Sequence, residues 1–120
     1  MIRGITGACL LVAMIAAAAS AADSAPRSDP VIRGRGLFAR QCSICHAARG
    51  FATNVLASRV GTEKSLISGR TDLQPAYVHF VVRNGLGAMP PLTKIELPDE
   101  DLSAIEAYLS RPADGSARGN

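Results

Sequence analysis

The sequence has no tryptophan, two tyrosines and three phenylalanines in 120 residues. Nucleic-acid sites that stack bases need aromatic platforms. That class is therefore disfavoured, and a pI near 9.1 is no argument for it. A chain of this length makes one domain, and a core so short of large rings is thin. Something else must add apolar volume. Cysteine is also scarce: beyond Cys9 there is one pair, Cys42 and Cys45, which in an exported chain would suggest a disulfide framework or a redox dithiol were His46 not adjacent. The histidines are His46 and His79. Beside two late cysteines they make a poor four-ligand zinc site. No internal repeat is present, and no segment requires a sheet.

The long apolar run sits at the N-terminus. Met1-Ile2-Arg3 gives a positive start, residues 5–19 are apolar and Ala-rich, and Ser20-Ala21-Ala22 precede Asp23. This reads as a secretory signal peptide over residues 1–22, cleaved after Ala22, with export to the periplasm. The competing reading is an uncleaved anchor, but the run is short for a membrane-spanning helix. No span is expected in the mature chain. Cys9 leaves with the leader. Residues 23–30 read as a flexible lead-in, 31–111 as the folded domain and 112–120 as a disordered tail.

Two cysteines remain, in Cys42-Ser43-Ile44-Cys45-His46. This is the spacing of a c-type haem attachment site. Thiols three residues apart share one face of a helical turn, so each can add to one vinyl group of the same porphyrin. His46 follows directly and can ligate the iron from below. A redox dithiol usually accompanies a βαβ pattern, and none is present. One covalent haem c is therefore expected. Loss of Arg3 and gain of two propionates bring the formal charge of +3 close to zero.

The elements around the motif read as helices. Asp29 as N-cap and Pro30 at the first position open a helix through Val31, Gly34, Leu37, Phe38 and Gln41. A glycine inside a helix costs about 1 kcal/mol. Its return is close approach of another backbone, so the last helix is expected to cross at Gly34. Residues 47–59 read as an irregular loop with a short helix near 54–58, and residues 64–68 as another short helix ended by Gly69. Pro75 opens a helix through Tyr77, Val78, Phe80, Val81 and Val82, stopped by Asn84-Gly85. Residues 85–98 form a loop rich in Gly and Pro. Asp99-Glu100-Asp101 start a final helix whose apolar face is Leu102, Ile105, Tyr108 and Leu109.

Two residues compete for the sixth position on iron. Met89, in Gly87-Ala88-Met89-Pro90-Pro91, is the single methionine left after the leader. Glycines before it permit close approach and prolines after it stiffen the chain. His79 lies inside a predicted helix, between Val78 and Phe80. Met89 is favoured, and Met/His ligation would raise the reduction potential relative to two histidines.

Gly34, Phe38, the Cys42–His46 motif, Met89-Pro90 and the terminal Ala107-Tyr108-Leu109 together resemble a class I c-type cytochrome. The resemblance implies an all-α fold of small helices wrapped around covalent haem. The N- and C-terminal helices would cross through Gly34, Phe38 and Tyr108. It implies single-electron transfer, not enzymatic catalysis. The chain departs from the family in having no Pro between His46 and Pro75, where a carbonyl commonly accepts the proximal histidine N–H. It also has Pro98 where a Ser or Thr cap is usual, which leaves Asp99 to cap. The stretch from Gly69 to Leu73, then Tyr77-Val78, Val82-Arg83-Asn84-Gly85-Leu86 and Met89-Pro90-Pro91, is similar to cytochrome subunits or partners of flavin-dependent periplasmic dehydrogenases. The 4-alkylphenol methylhydroxylases are the nearest type. A flavin-bearing partner would then donate the electrons, and Arg70 and Arg83 would meet a propionate or the partner. A freely diffusing shuttle to a terminal oxidase and a five-coordinate haem protein for gas binding or peroxidase chemistry stay open as alternatives.

Overall fold

The computed structural model describes residues 29–112. The expected signal peptide, most of the lead-in and nearly all of the tail lie outside those residues. Helix α1 spans Pro30–Gln41. Asp29 caps it, its carboxylate accepting from the Val31 N–H at 2.8 Å, and Pro30 takes the first turn, where no N–H is needed. A one-turn helix α2 follows at Ser43–His46, then α3 at Phe51–Val60, α4 at Thr62–Ser65 and a 3-10 turn at Ile67–Gly69. Helix α5 spans Pro75–Asn84 and α6 spans Asp99–Leu109. The described residues contain no strand, and the fold is all-α. No helix among them is long and apolar enough to cross a membrane.

The principal interface joins α1 to α6. Gly34 is buried at the crossing, and a Cβ there would sit 1.9 Å from the Ala104 carbonyl oxygen. The expected crossing is therefore present, and only a residue without a side chain permits it. One turn on, the rings of Phe38 and Tyr108 meet with centroids 5.6 Å apart. Arg111 lies over the Tyr108 ring, its guanidinium 4.2 Å from the centroid, and donates to the Ser68 carbonyl at 2.8 Å. All four residues of the expected α6 face are buried; Leu102 and Ile105 are about fully so. Each such side chain contributes about 1.5–3 kcal/mol when removed from water.

The structure corrects three local expectations. The segment after the haem motif is not an irregular loop: α3 runs ten residues from an extended Gly50 to Gly61 at φ +86°. Ala52, Leu56 and Ala57 are good helix formers, and Gly61 supplies the left-handed stop. The next short helix begins at Thr62 rather than Lys64, with Ile67–Gly69 wound as 3-10. Asp99 does not cap α6. Pro98 is the N-cap residue, and no side chain bonds there. The Asp99 carboxylate is drawn away by Arg83 at 2.8 Å and Lys94 at 2.7 Å.

Gly34→Ala would press a methyl group into a backbone carbonyl that cannot swing aside. Overpacking of this kind costs about 1–3 kcal/mol. The melting temperature of the haem-loaded protein should fall by at least about 4 °C. Gly69→Ala is the control: a Cβ there meets nothing within 4 Å. Its melt, followed by circular dichroism, should match or slightly exceed that of the unaltered chain.

Candidate functional site

Helix α1 delivers Cys42 to the edge of the core. The Cys42 N–H closes the helix on the Phe38 carbonyl at 2.9 Å, and its side chain packs against the buried cluster. The turn then tightens. The Cys45 and His46 N–H groups both donate to the Cys42 carbonyl, at 3.1 and 2.9 Å. The two sulfurs thus belong to one helical turn, as the spacing implies, and they are free thiols. Ser43 braces the junction by bonding its hydroxyl to the Ala39 carbonyl.

Cys42 is half-buried and Cys45 exposed. Burial first, and the neighbouring Cys45 second, push the Cys42 thiol up to about 11. Cys42 is therefore protonated at neutral pH. Burial also holds His46 below its ordinary value, which favours the neutral imidazole that a metal requires. His46 Nδ1 is buried and has no hydrogen-bond partner.

Helix α3 is pressed against this turn. A Cβ on Gly50 would lie 2.2 Å from the Cys45 carbonyl oxygen, and the Gly50 N–H donates to the Ala47 carbonyl at 2.8 Å. Reading the sequence missed this role for Gly50. Its signal was a glycine five residues beyond the second thiol, immediately before a run of helix formers.

Met89 closes a two-residue hairpin. Leu86 and Met89 exchange N–H to carbonyl bonds of 3.0 and 3.1 Å around Gly87-Ala88. Gly87 has φ +61°, and no non-glycine residue among those described has positive φ. These signs match a type II′ turn, which takes glycine at its first central position. Gly85, at φ +76°, lets the returning chain pass close: a Cβ there would meet the Met89 carbonyl oxygen at 2.6 Å. The Met89 side chain is half-buried and packs against the core.

The rival sixth residue is engaged elsewhere. His79 is exposed, and its Nδ1 lies 2.8 Å from the Glu106 carboxylate of α6. The two arginines expected at a propionate or partner also have protein contacts. Arg70 pairs with Asp72 at 2.8 Å and holds that carboxyl at about 2 through its hydrogen bond. Arg83 donates to the carbonyls of Leu92, Thr93 and Leu97, at 3.0, 3.2 and 2.9 Å, besides Asp99. It clamps the chain beyond Met89 to α5.

The donor set fits an iron porphyrin better than a bare ion. No group of three or more His, Cys, Asp or Glu able to hold a metal occurs among the described residues. A macrocycle brings its own nitrogens and asks of the chain two thiols one turn apart and an imidazole beside them. The comparisons agree. Residues 29–109 match the family described as cytochrome c oxidase, cbb3-type, subunit III. Over 107 residues the chain is 32% identical to the 4-cresol dehydrogenase [hydroxylating] cytochrome c subunit of Pseudomonas putida, covering 88% of this chain and 80% of that one. The chain belongs to the cytochrome c family. It is an electron-transfer protein with one covalent haem c, related to dehydrogenase cytochrome subunits, and not itself a catalyst.

Gly50→Ala should displace the turn that holds Cys45. We expect a several-fold lower fraction of exported chain carrying covalent haem, read by intact mass and by haem absorbance per protein. Gly69→Ala should load normally.

Proposed function

We propose that Cys42 and Cys45 form the two thioether links, that His46 and Met89 are the axial ligands, and that a partner dehydrogenase donates the electrons in the periplasm. The observation that carries the axial pair is the contrast between the two candidates. Met89 is half-buried on a hairpin that Gly85 and Gly87 allow to turn and Pro90-Pro91 stiffen, while His79 is exposed and held by Glu106.

When bound, haem supplies a one-electron ferric/ferrous couple. The chain's residues do the rest. Cys42 and Cys45 tie the ring to the end of α1. His46, kept neutral by burial, offers a lone pair to the iron. The thioether of Met89 favours the reduced state relative to a second imidazole. Arg83 holds residues 92–99 on α5, which restrains the chain that follows Met89. With His46 and Met89 both committed to it, the haem would offer no open site to a substrate, in keeping with transfer rather than catalysis.

The proposed partner is a flavin-bearing dehydrogenase subunit. The 4-cresol dehydrogenase cytochrome relative supports this, since its name places it in a dehydrogenase. Large apolar side chains stand exposed near the motif in sequence and on α5 and the hairpin: Ile44, Phe51, Tyr77, Phe80 and Leu86. Such side chains suit a docking surface for a short-lived or permanent complex. Residues 1–22, with their positive start, apolar run and small-residue end, support export.

In the haem-loaded ferric protein, Met89→Ala should abolish the far-red absorption band that marks sulfur ligation. It should also lower the reduction potential and open the iron to carbon monoxide. His79→Ala should keep the band. Strong carbon monoxide binding by the unaltered protein would instead establish a five-coordinate centre. For the partner, affinity purification from the native host should bring down a flavoprotein that reduces the haem on addition of its substrate. Recovery of the cytochrome alone at physiological salt would favour a diffusing shuttle.

A further inference from the structure

Two buried polar atoms on abutting elements have no hydrogen-bond partner: His46 Nδ1 at the end of α2 and Thr53 Oγ1 in the first turn of α3. Thr53 is 5% exposed and is the buried residue of α3. A hydroxyl taken out of water without a partner is costly. A helical threonine commonly returns its hydroxyl to a carbonyl of the preceding turn; Thr53 does not.

The junction between these elements is close: a Cβ added at Gly50 would lie 2.2 Å from the Cys45 carbonyl oxygen. Gly50 is the N-cap of α3 and Thr53 lies in its first turn, so the end of α3 that abuts the motif is the end that carries Thr53. The chemistry is complementary. A neutral imidazole that binds iron through Nε2 carries its proton on Nδ1 and needs an acceptor there. A threonine hydroxyl offers one. No proline carbonyl is available in the sequence between His46 and Pro75.

We propose that Thr53 Oγ1 accepts the hydrogen bond from His46 Nδ1–H in the haem-loaded protein, and so sets the orientation and basicity of the proximal ring. Thr53 is a positioning residue: it reaches the iron only through His46. The proposal rests on the axial role of His46 given above. A bonded N–H makes the imidazole a stronger donor and favours the ferric state. Losing the bond should favour the ferrous state.

The test compares the reduction potentials of haem-loaded Thr53→Val, which keeps the shape without the hydroxyl, and Thr53→Ser, which keeps the hydroxyl. Thr53→Val should shift the couple about tenfold toward ferrous, ~59 mV more positive for one electron. Thr53→Ser should match the unaltered protein. An unchanged or lowered potential in Thr53→Val overturns the proposal, as does a serine variant that shifts as far as valine. A valine variant that melts higher at unchanged potential would mark an idle buried hydroxyl. NMR of the reduced, unaltered protein gives a second reading that needs no variant. The His46 ring N–H should exchange slowly and show a cross-peak to the Thr53 methyl group; its absence overturns the proposal. Retention of the far-red sulfur band through all of this would leave the axial pair standing whatever Thr53 does.

Discussion

The close contact between Gly34 of α1 and the Ala104 carbonyl of α6 is the constraint on which the rest of the structure depends. Two helices that touch at backbone distance bring their flanking side chains into register, so Phe38 reaches Tyr108. The same contact sets the exit of α1. Cys42 leaves the helix half-buried against the core, and the turn it begins carries the second thiol and the imidazole. The position of the reactive motif is thus decided at a glycine two turns upstream. If both sulfurs are to face one ring at once, as proposed, the turn needs this firmness.

The loop that carries Met89 is assembled differently. No long helix delivers Met89. A hairpin of two central residues does, pinned at its base by the Gly85 approach and beyond its prolines by the Arg83 clamp. Arg83 joins α5, the loop and the start of α6 through one guanidinium. Such a fork can satisfy several carbonyls in a fixed geometry that a lysine could not match. Asp99 belongs to this clamp, so its carboxylate is unavailable to cap α6. The first turn of that helix relies instead on the Pro98 carbonyl and on acidic side chains placed favourably for the dipole.

Local chemistry was legible where it is local. Asp29-Pro30 opened α1, and Pro75 and Asn84-Gly85 bounded α5, because caps and φ preferences act over a few residues. The α6 face was legible because four apolar residues at helical spacing have one stable place to go. Helix α3 was not. Its sequence has weak amphipathic contrast, with Thr53 as its buried residue, so periodicity had little to report. What positions it is the approach of Gly50 to Cys45. The protein contacts of the arginines were not legible for a related reason. A cation's partner depends on which carbonyls the fold brings near, and those of Leu92 and Leu97 lie nine and fourteen residues along the chain from Arg83.

The order of residues alone determined the class of chemistry: two thiols and an imidazole at fixed spacing, a lone late methionine, and a glycine where two helices must cross. These follow from covalent reach and from the helical repeat, which need no tertiary information. Tertiary structure alone decided which groups are spent on the fold and which are left for function. It engaged His79 with Glu106, Arg70 with Asp72 and Arg83 with the loop beyond Met89. It left His46 Nδ1 and Thr53 Oγ1 buried without partners. Hydrogen bonds of a few ångströms between residues distant in the chain exist only once the helices have packed.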